Sequence, residues 1–317
     1  MIGRLARLRA EVLGLNRRNH AYLFAHNPRH GYRVVDDKRA TKTALAAHGV
    51  PAPALQAVCE TQWGVKKLGE RLARASDFVL KPAHGAGGAG IVVIAGRDGE
   101  RFVKASGERL TRADLEAHAC DVIAGAFSAG PCDDVLLVED RVVPEAELGA
   151  LAYRGVPDIR VLVFRGVPVL AMLRLPTERS DGRANLHLGG VGVGIDLADG
   201  RTTYAVVDGR RVAAHPDLGC DLRGLAVPRW GDVLVLAVQA ADAVRLGFVG
   251  VDVVIDAIDG PLVLELNARP GLTVQLANRR GLRPLLEAVE TGTPPHTAEE
   301  RVAVGRALAA QLAGSSR

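Results

Sequence analysis

Residues 251–272 read VDVVIDAIDGPLVLELNARPGL. Two apolar, β-branched runs flank a short polar turn, so the spacing predicts strands over Val249–Ile258 and Leu262–Asn267, joined around Ala257–Gly260. Glu265 and Asn267 are two apart on one strand, and their side chains therefore share a face. Asp252 lies on the preceding strand, which a hairpin brings alongside. The patch then holds two carboxylates and an amide oxygen. Two unpaired carboxylates about 4 Å apart repel by about 4 kcal/mol at an effective dielectric of 20. A hard divalent cation removes that repulsion, and Mg²⁺ takes oxygen ligands while bridging to substrate phosphates. The plainer alternative is a solvent-facing polar side, with Glu265 bonded to a nearby arginine.

Upstream, residues 78–94 read FVLKPAHGAGGAGIVVI. Gly85, Gly87 and Gly90 match the dinucleotide pattern GxGxxG, but that fingerprint requires strand, glycines and then helix. Here the glycines lead into IVVIA, and the reading becomes strand–loop–strand. A glycine hairpin without Cβ atoms lets backbone N–H groups approach a polyphosphate. Lys81, at the end of the strand before it, supplies a point charge. Kinases place that lysine after the loop, and neither HRD nor DFG occurs here. The alternative is a mobile hairpin without a ligand.

A third group lies in GVPDIRVLVFRGVPV (155–169) and DGRANLHLGG (181–190). Asp158 and Arg160 are same-face strand neighbours, suited to ribose hydroxyls and to a phosphate or carboxylate respectively. Arg183, Asn185 and His187 sit in a polar, glycine-backed segment suited to stabilising transition-state charge, although His187 reads equally well as an ordinary loop histidine.

Working outward, residues 1–26 read as an amphipathic helix with Leu5, Leu8, Val12 and Leu15 on one face. A polar stretch follows, and Asp36 or Asp37 would cap a helix from Lys38 to His48 ended by Gly49. Further expectations are a helix over Trp63–Arg74 and strands Phe78–Lys81 and Ile91–Ala95. A helix over Arg112–Gly125 and a strand Val135–Glu139 follow. Next come a hairpin of Ile159–Phe164 and Pro168–Arg174 about Arg165-Gly166, a polar interruption over 180–194, and a helix Asp232–Leu246. Two C-terminal helices and a frayed end at 314–317 complete the chain.

The 317 residues suffice for one large or two modest domains, and 48% hydrophobic with 24% charged residues is ordinary for a globular protein. The net charge of +4 is spread out and aromatics are 4%, which speaks against nucleic-acid binding. No apolar run reaches a membrane span, and the N-terminus lacks a signal-peptide core, so a cytoplasmic location is expected. Cys59, Cys120, Cys132 and Cys220 form no CxxC pair and read as reduced and structural.

Taken in order, DDKRATKTALAAHGVPAP (36–53), FVLKPAHGAGGAGI, LLVED (136–140), PDIRVLVFRG, GRANLHLGG and GVDVVID with GPLVLELNARPGL resemble the ATP-grasp superfamily. The resemblance is strongest to the RimK-type α-L-glutamate ligases and their relatives, and covers roughly residues 36–290. It implies an α+β ATP-grasp fold, two α/β subdomains clasping ATP, with a shortened N-terminal region. The implied parts are an N-terminal segment (1–49), a small lid subdomain (50–138) and a catalytic subdomain (139–317). The resemblance further implies that Lys38 and Lys81 contact nucleotide phosphates under Gly85, Gly87, Gly88 and Gly90. Glu139 and Asp140 would line the adenine site, and Asp158 would hold the ribose. Arg160, Arg183 and Asn185 would face the γ-phosphate and an acyl-phosphate. Asp252, Glu265 and Asn267 would bind Mg²⁺, or Mn²⁺ in its place. The implied activity is ATP-dependent carboxylate–amine ligation on small-molecule or peptide substrates, releasing ADP and phosphate. A phosphotransferase and a non-catalytic nucleotide-binding module are the rivals. Arg269 departs from the RimK-type pattern and suggests a different anionic substrate group. The front end is shorter than in RimK-type ligases, so either the N-terminal helix replaces the missing domain, a homo-oligomer or partner subunit completes the substrate site, or the substrate is large.

Overall fold

A computed structural model describes residues 9–72, 75–85, 87–128 and 133–314. Leu5, Leu8, Cys132 and the C-terminal residues 315–317 lie outside the described residues, as does Arg74, the expected end of its helix. The chain divides into two compact units. One comprises Asp37–Arg39 with Pro53–Val143; the other comprises the remainder.

The Pro53–Val143 unit is built on six antiparallel strands: β1 (Leu55–Cys59), β2 (Phe78–Pro82), β3 (Val92–Asp98), β4 (Arg101–Lys104), β5 (Arg109–Leu110) and β6 (Leu136–Glu139). Their order is β1-β6-β2-β3-β4-β5. Strand alternation sorts the side chains. Phe78, Leu80, Ile94, Leu136 and Val138 enter a core with the helices Gln62–Leu72 and Arg112–Ile123. Val79, Lys81, Leu137 and Glu139 therefore turn to the other face. The second helix starts in a capping box, in which the Thr111 hydroxyl and the Asp114 carboxylate each satisfy the other residue's backbone N–H. Sequence reading expected β2, β3 and β6 but not β1, β4 or β5. β1 is interrupted by Gln56 and an irregularity after Leu55, and β4 and β5 are short and each begin with a charged residue, so only their neighbours make them strands.

The second unit carries a seven-stranded antiparallel sheet in the order β11-β10-β9-β8-β7-β12-β13. Its strands are β7 (Asp158–Phe164), β8 (Val167–Leu175), β9 (Val191–Ile195), β10 (Thr202–Val207), β11 (Arg210–Val212), β12 (Phe248–Asp256) and β13 (Gly260–Asn267). Arg165 and Gly166 both have positive φ, 47° and 75°, which makes the β7–β8 connection a type I′ turn. One sheet face is apolar throughout: Ile159, Val161, Leu173, Val193, Val251 and Val253 pack with the buried side of the helix Trp230–Val244. The other face is divided. Leu162, Phe164, Leu170, Met172 and Phe248 form a second core with the C-terminal helices, whereas the opposite ends of the same strands carry charged side chains.

Several expectations are corrected in this unit. The segment expected to interrupt the pattern over 180–194 instead feeds strand β9, and β10 and β11 follow it. The glycines that looked like a loop are close-approach positions. A Cβ on Gly194 would lie 2.4 Å from the Ala277 carbonyl, and one on Gly192 would lie 2.7 Å from Leu186 Cδ2. The expected continuous N-terminal helix breaks before Gly14 and resumes at Leu15 with a π-helical turn over Arg18–Leu23. The break resets the helical phase, so Val12 and Leu15 are exposed while Leu13, Tyr22 and Leu23 are buried. The polar stretch before Lys38 forms a helix, Arg29–Asp36, and three C-terminal helices replace the expected two: Val274–Asn278, Arg283–Thr291 and Ala298–Gly314. The helix Lys38–Ala47 matches expectation: Asp37 Oδ1 accepts the Arg39 N–H at 2.8 Å, and Gly49, at φ 67°, follows its end.

Candidate functional site

The charged half of the seven-stranded sheet centres on Asp252, 1% exposed. Arg160 stands opposite Asp252 on β7 and donates to both its oxygens, at 2.7 and 2.6 Å. Arg174 on β8 reaches Asp252 Oδ2 at 2.7 Å and also grips Asp158 through two hydrogen bonds of 2.5 and 2.7 Å. Asn267 donates its amide N–H to Asp252 Oδ2 at 3.0 Å. Glu265 is the cross-strand partner of Asp252 and is half-buried. Five of the residues singled out from sequence thus converge on this patch: Asp158, Arg160, Asp252, Glu265 and Asn267.

Arg174 is the residue that sequence reading missed. The I′ turn pairs Phe164 with Val167 and Val163 with Pro168, a register that would place Leu173 opposite Asp158. A bulge between Leu162 and Val163 advances the partner strand by one residue and delivers Arg174 instead.

Burial dominates the titration of both acids. It pushes Asp158 up to about 6, with Arg174 pulling down and the Asp252 charge pushing up. Asp252 is equally desolvated, but two guanidiniums, Arg160 first and then Arg174, hold it below the usual carboxylate range. Arg174 loses hydration yet is held firmly protonated by the two carboxylates.

The donor set suits a hard cation. Glu265 and Asp252 offer carboxylate oxygens, and Asn267, with its N–H on Asp252, retains its amide oxygen on the same strand face as Glu265. Asp252 would meet a cation in exchange for a guanidinium contact, since arginines engage both of its oxygens. Among the described residues no group of three or more acidic, histidine or cysteine side chains is placed to hold a metal, so any such site is two carboxylates and an amide.

In the other unit, Lys81 Nζ and Glu139 Oε2 form a 2.7 Å ion pair with side chains only 6% and 3% exposed. The two stand diagonally on neighbouring strands, β2 and β6. Asp140 is exposed and accepts from Gln56 Nε2 at 2.5 Å. Lys38 directs its ammonium to the carbonyls of Gly85 (2.6 Å) and Ala83 (3.5 Å), so it braces the glycine-rich segment. Gly87, Gly88 and Gly90 have φ of 66°, 83° and 73°, and a Cβ on Gly90 would lie 2.6 Å from the Phe127 ring.

A second network that sequence reading missed flanks these glycines. Asp134 accepts from His84 Nδ1 (2.8 Å), the backbone N–H groups of His84 (3.0 Å) and Val135 (2.7 Å), and the Ser128 hydroxyl (2.6 Å). Burial raises the Asp134 pKa, but these hydrogen bonds more than offset it and leave the carboxyl below its usual value. The signal was faint, since His84 and Asp134 are fifty residues apart.

Arg183 and Asn185 lie in the loop before β9. Arg183 is exposed and ion-paired with Asp181 at 3.8 Å. Asn185 Oδ1 accepts the His187 N–H at 2.9 Å and caps the turn Leu186–Leu188. Arg269 pairs with Asp36 at 3.0 Å and stacks 4.6 Å from the Tyr32 ring centre, tying the segment after Asn267 to the helix Arg29–Asp36.

Among known proteins, residues 17–291 match the family described as Sugar-transfer associated ATP-grasp. A cyanophycin synthetase of Geminocystis herdmanii is 24% identical over 271 residues, which is 80% of this chain and 29% of that protein. A probable alpha-L-glutamate ligase of Mannheimia succiniciproducens is 25% identical over 251 residues, 77% of this chain and 68% of that protein. The crystal structure of the D-cycloserine synthetase DcsG aligns at a TM-score of 0.44 and 18% identity, covering 88% of this chain and 71% of that one. The chain thus spans under a third of the length of the cyanophycin synthetase it matches. With the family matched over most of its length, the chain belongs to the sugar-transfer associated ATP-grasp family and has an α+β ATP-grasp fold.

Proposed function

We propose that this chain is an ATP-dependent ligase that joins a carboxylate to an amine through an acyl-phosphate. The observation that carries this reading is the constellation of Arg160, Arg174, Asn267 and Glu265 around the buried Asp252 in a chain of the ATP-grasp family. The relatives named as a cyanophycin synthetase and a glutamate ligase support it as analogy.

In the proposed reaction a carboxylate oxygen attacks the γ-phosphorus, the bond to the β-phosphate oxygen breaks, and ADP leaves. The amine nitrogen then attacks the acyl carbon, the carbon–oxygen bond to phosphate breaks, and the nitrogen gives up a proton. Positioning and charge neutralisation carry such phosphoryl chemistry. Arg160 and Arg174 are the guanidiniums suited to the anionic oxygens, since their forked N–H groups match phosphate and carboxylate alike. Arg183 and Asn185 would act from the loop before β9, and Asp158 would hold the ribose or orient Arg174. Lys81 and the glycines from Gly85 to Gly90 would hold nucleotide phosphates, braced by Lys38, with Glu139 and Asp140 at the adenine. Mg²⁺, or Mn²⁺, held by Asp252, Glu265 and Asn267, would neutralise phosphate charge. The acid and the amine are small molecules or peptides.

The test is product release from purified chain with ATP and Mg²⁺ across acid–amine pairs. ADP and phosphate appearing only when both partners are present supports ligation. ADP without phosphate, from one acceptor alone, would overturn it in favour of phosphotransfer.

A further inference from the structure

His84 has an unusual setting for an exposed histidine. Its side chain is 40% exposed, whereas the Asp134 carboxylate that holds it is 0% exposed. Asp134 is ionised and can only accept, so Nδ1 of His84 carries a proton and Nε2 is the ring nitrogen left to face outward. Ser128 and two backbone N–H groups saturate the rest of the carboxylate, which fixes the ring against rotation.

The position of this ring is what gives it a role. His84 immediately precedes Gly85, and the carbonyls on either side of it, Ala83 and Gly85, are the two that Lys38 Nζ caps. Gly85 also bridges to Ser128, the hydroxyl partner of Asp134. At the far end of the glycines, His118 Nε2 holds the Gly90 carbonyl at 2.9 Å. Among the described residues, the charged groups bonded to His84 or to its flanking carbonyls are Asp134 and Lys38, with His118 at the other end of the segment and the Lys81–Glu139 pair on the strands before and beside it. Lys38 and Lys81 each spend donors on protein acceptors. Among the described residues of the segment, His84 adds a part-exposed ring whose Nε2 has no hydrogen-bond partner in the protein.

We propose that His84 is a phosphate-contacting residue of the glycine-rich segment, its imidazolium donating from Nε2 to a nucleotide phosphate oxygen while Asp134 holds Nδ1. This rests on the nucleotide-binding part of the function proposed above. With Nδ1 protonated, a neutral ring offers phosphate only a lone pair. A phosphate contact from Nε2 therefore uses the doubly protonated ring, whose charge Asp134 balances.

The experiment is titration calorimetry of the full chain with ADP and with ATP, each with Mg²⁺. Measurements near neutral pH in two buffers of different ionisation enthalpy yield affinity and proton uptake together. Wild type should bind with net uptake. His84→Asn keeps an amide donor for Asp134 but has no Nε2; it should bind about tenfold more weakly and take up no proton, at unchanged melting temperature. His84→Gln restores an outward donor and should recover affinity without uptake. If His84→Asn does not fold, loss of uptake in His84→Gln reads the same point. Wild-type affinity and uptake in either variant would overturn the assignment. If wild type itself binds no nucleotide, the proposed function fails first, a result distinct from failure of His84 alone.

Discussion

Glu265 faces Asp252 because strand β13 contains one residue more than the turn requires. From the turn outward, Asp256 pairs with Gly260 and Val253 with Val263, a register that would set Leu264 opposite Asp252 and turn Glu265 toward the apolar core. The irregularity between Asp252 and Val253 absorbs Leu264, so Val263 and Leu266 both stay in the core and Glu265 joins the charged face. Deleting Leu264 should therefore regularise the pair rather than break it, because Val263 stays opposite Val253, Glu265 stays opposite Asp252 and Leu266 stays opposite Val251. Urea denaturation is expected to find the deletion variant folded and only mildly destabilised, as for Leu264→Ala. An unfolded deletion variant would contradict this register.

If the proposed site is correct, Glu265→Ala should lower turnover by roughly 10²-fold while the fold survives, because Glu265 is half-buried and not part of the apolar core. ADP release at saturating ATP and Mg²⁺, alongside a melting curve, checks both halves. Near-normal turnover would remove Glu265 from the site.

Arg174 makes a different kind of prediction because it bridges two buried acids. Arg174→Met leaves Asp158 without its guanidinium and should destabilise by about 3–5 kcal/mol. Arg174→Met with Asp158→Leu removes the orphaned charge along with its partner and should recover much of that loss. Stabilities of the two single variants and the double variant form a cycle; independent, additive losses would contradict the coupling.

Much of this was legible in the sequence. The hairpins of β7–β8 and β12–β13 were visible from β-branched runs around Arg165-Gly166 and Ala257–Gly260, and alternation correctly put Asp158 and Arg160 together. Arg174 was not legible, because its position depends on a bulge that no propensity announces. Strand β9 was hidden because Gly192 and Gly194 are absent side chains needed for close packing rather than signs of a loop. The break before Gly14 likewise set which N-terminal leucines are buried, and that break is stabilised by a contact 262 residues away, Leu13 N–H to Gln275 Oε1.

The titration of Asp158 gives a pH signature. Its folded-state pKa is raised to about 6, above the ordinary value of 3.8 expected on unfolding. Its favourable contribution is thus fully present below the unfolded value and is lost as pH rises through about 6. Asp158→Asn abolishes that dependence, so the stability of the variant relative to wild type should climb between about pH 4 and pH 6 and then level off. Urea midpoints at several pH values test this; a flat difference would mean that Asp158 stays ionised across the window.

The buried pair Lys81–Glu139 closes the set, because function and stability predict opposite rescue patterns. Removing either partner alone strands a charge at a site only a few per cent exposed, so Lys81→Met and Glu139→Gln should each destabilise, the first more because Met offers the carboxylate no donor whereas a Gln amide oxygen still accepts from the ammonium. Lys81→Met with Glu139→Leu should restore much of the stability, since an apolar pair of similar volume often replaces a buried ion pair without loss. Nucleotide binding should not recover with it. A phosphate contact needs the ammonium itself, and the double variant lacks it. Melting curves with and without ATP and Mg²⁺ read both quantities at once, because a ligand that binds only the folded state raises its apparent stability. A double variant that is stable and still shifted by nucleotide as strongly as wild type would leave Lys81 with a purely structural role.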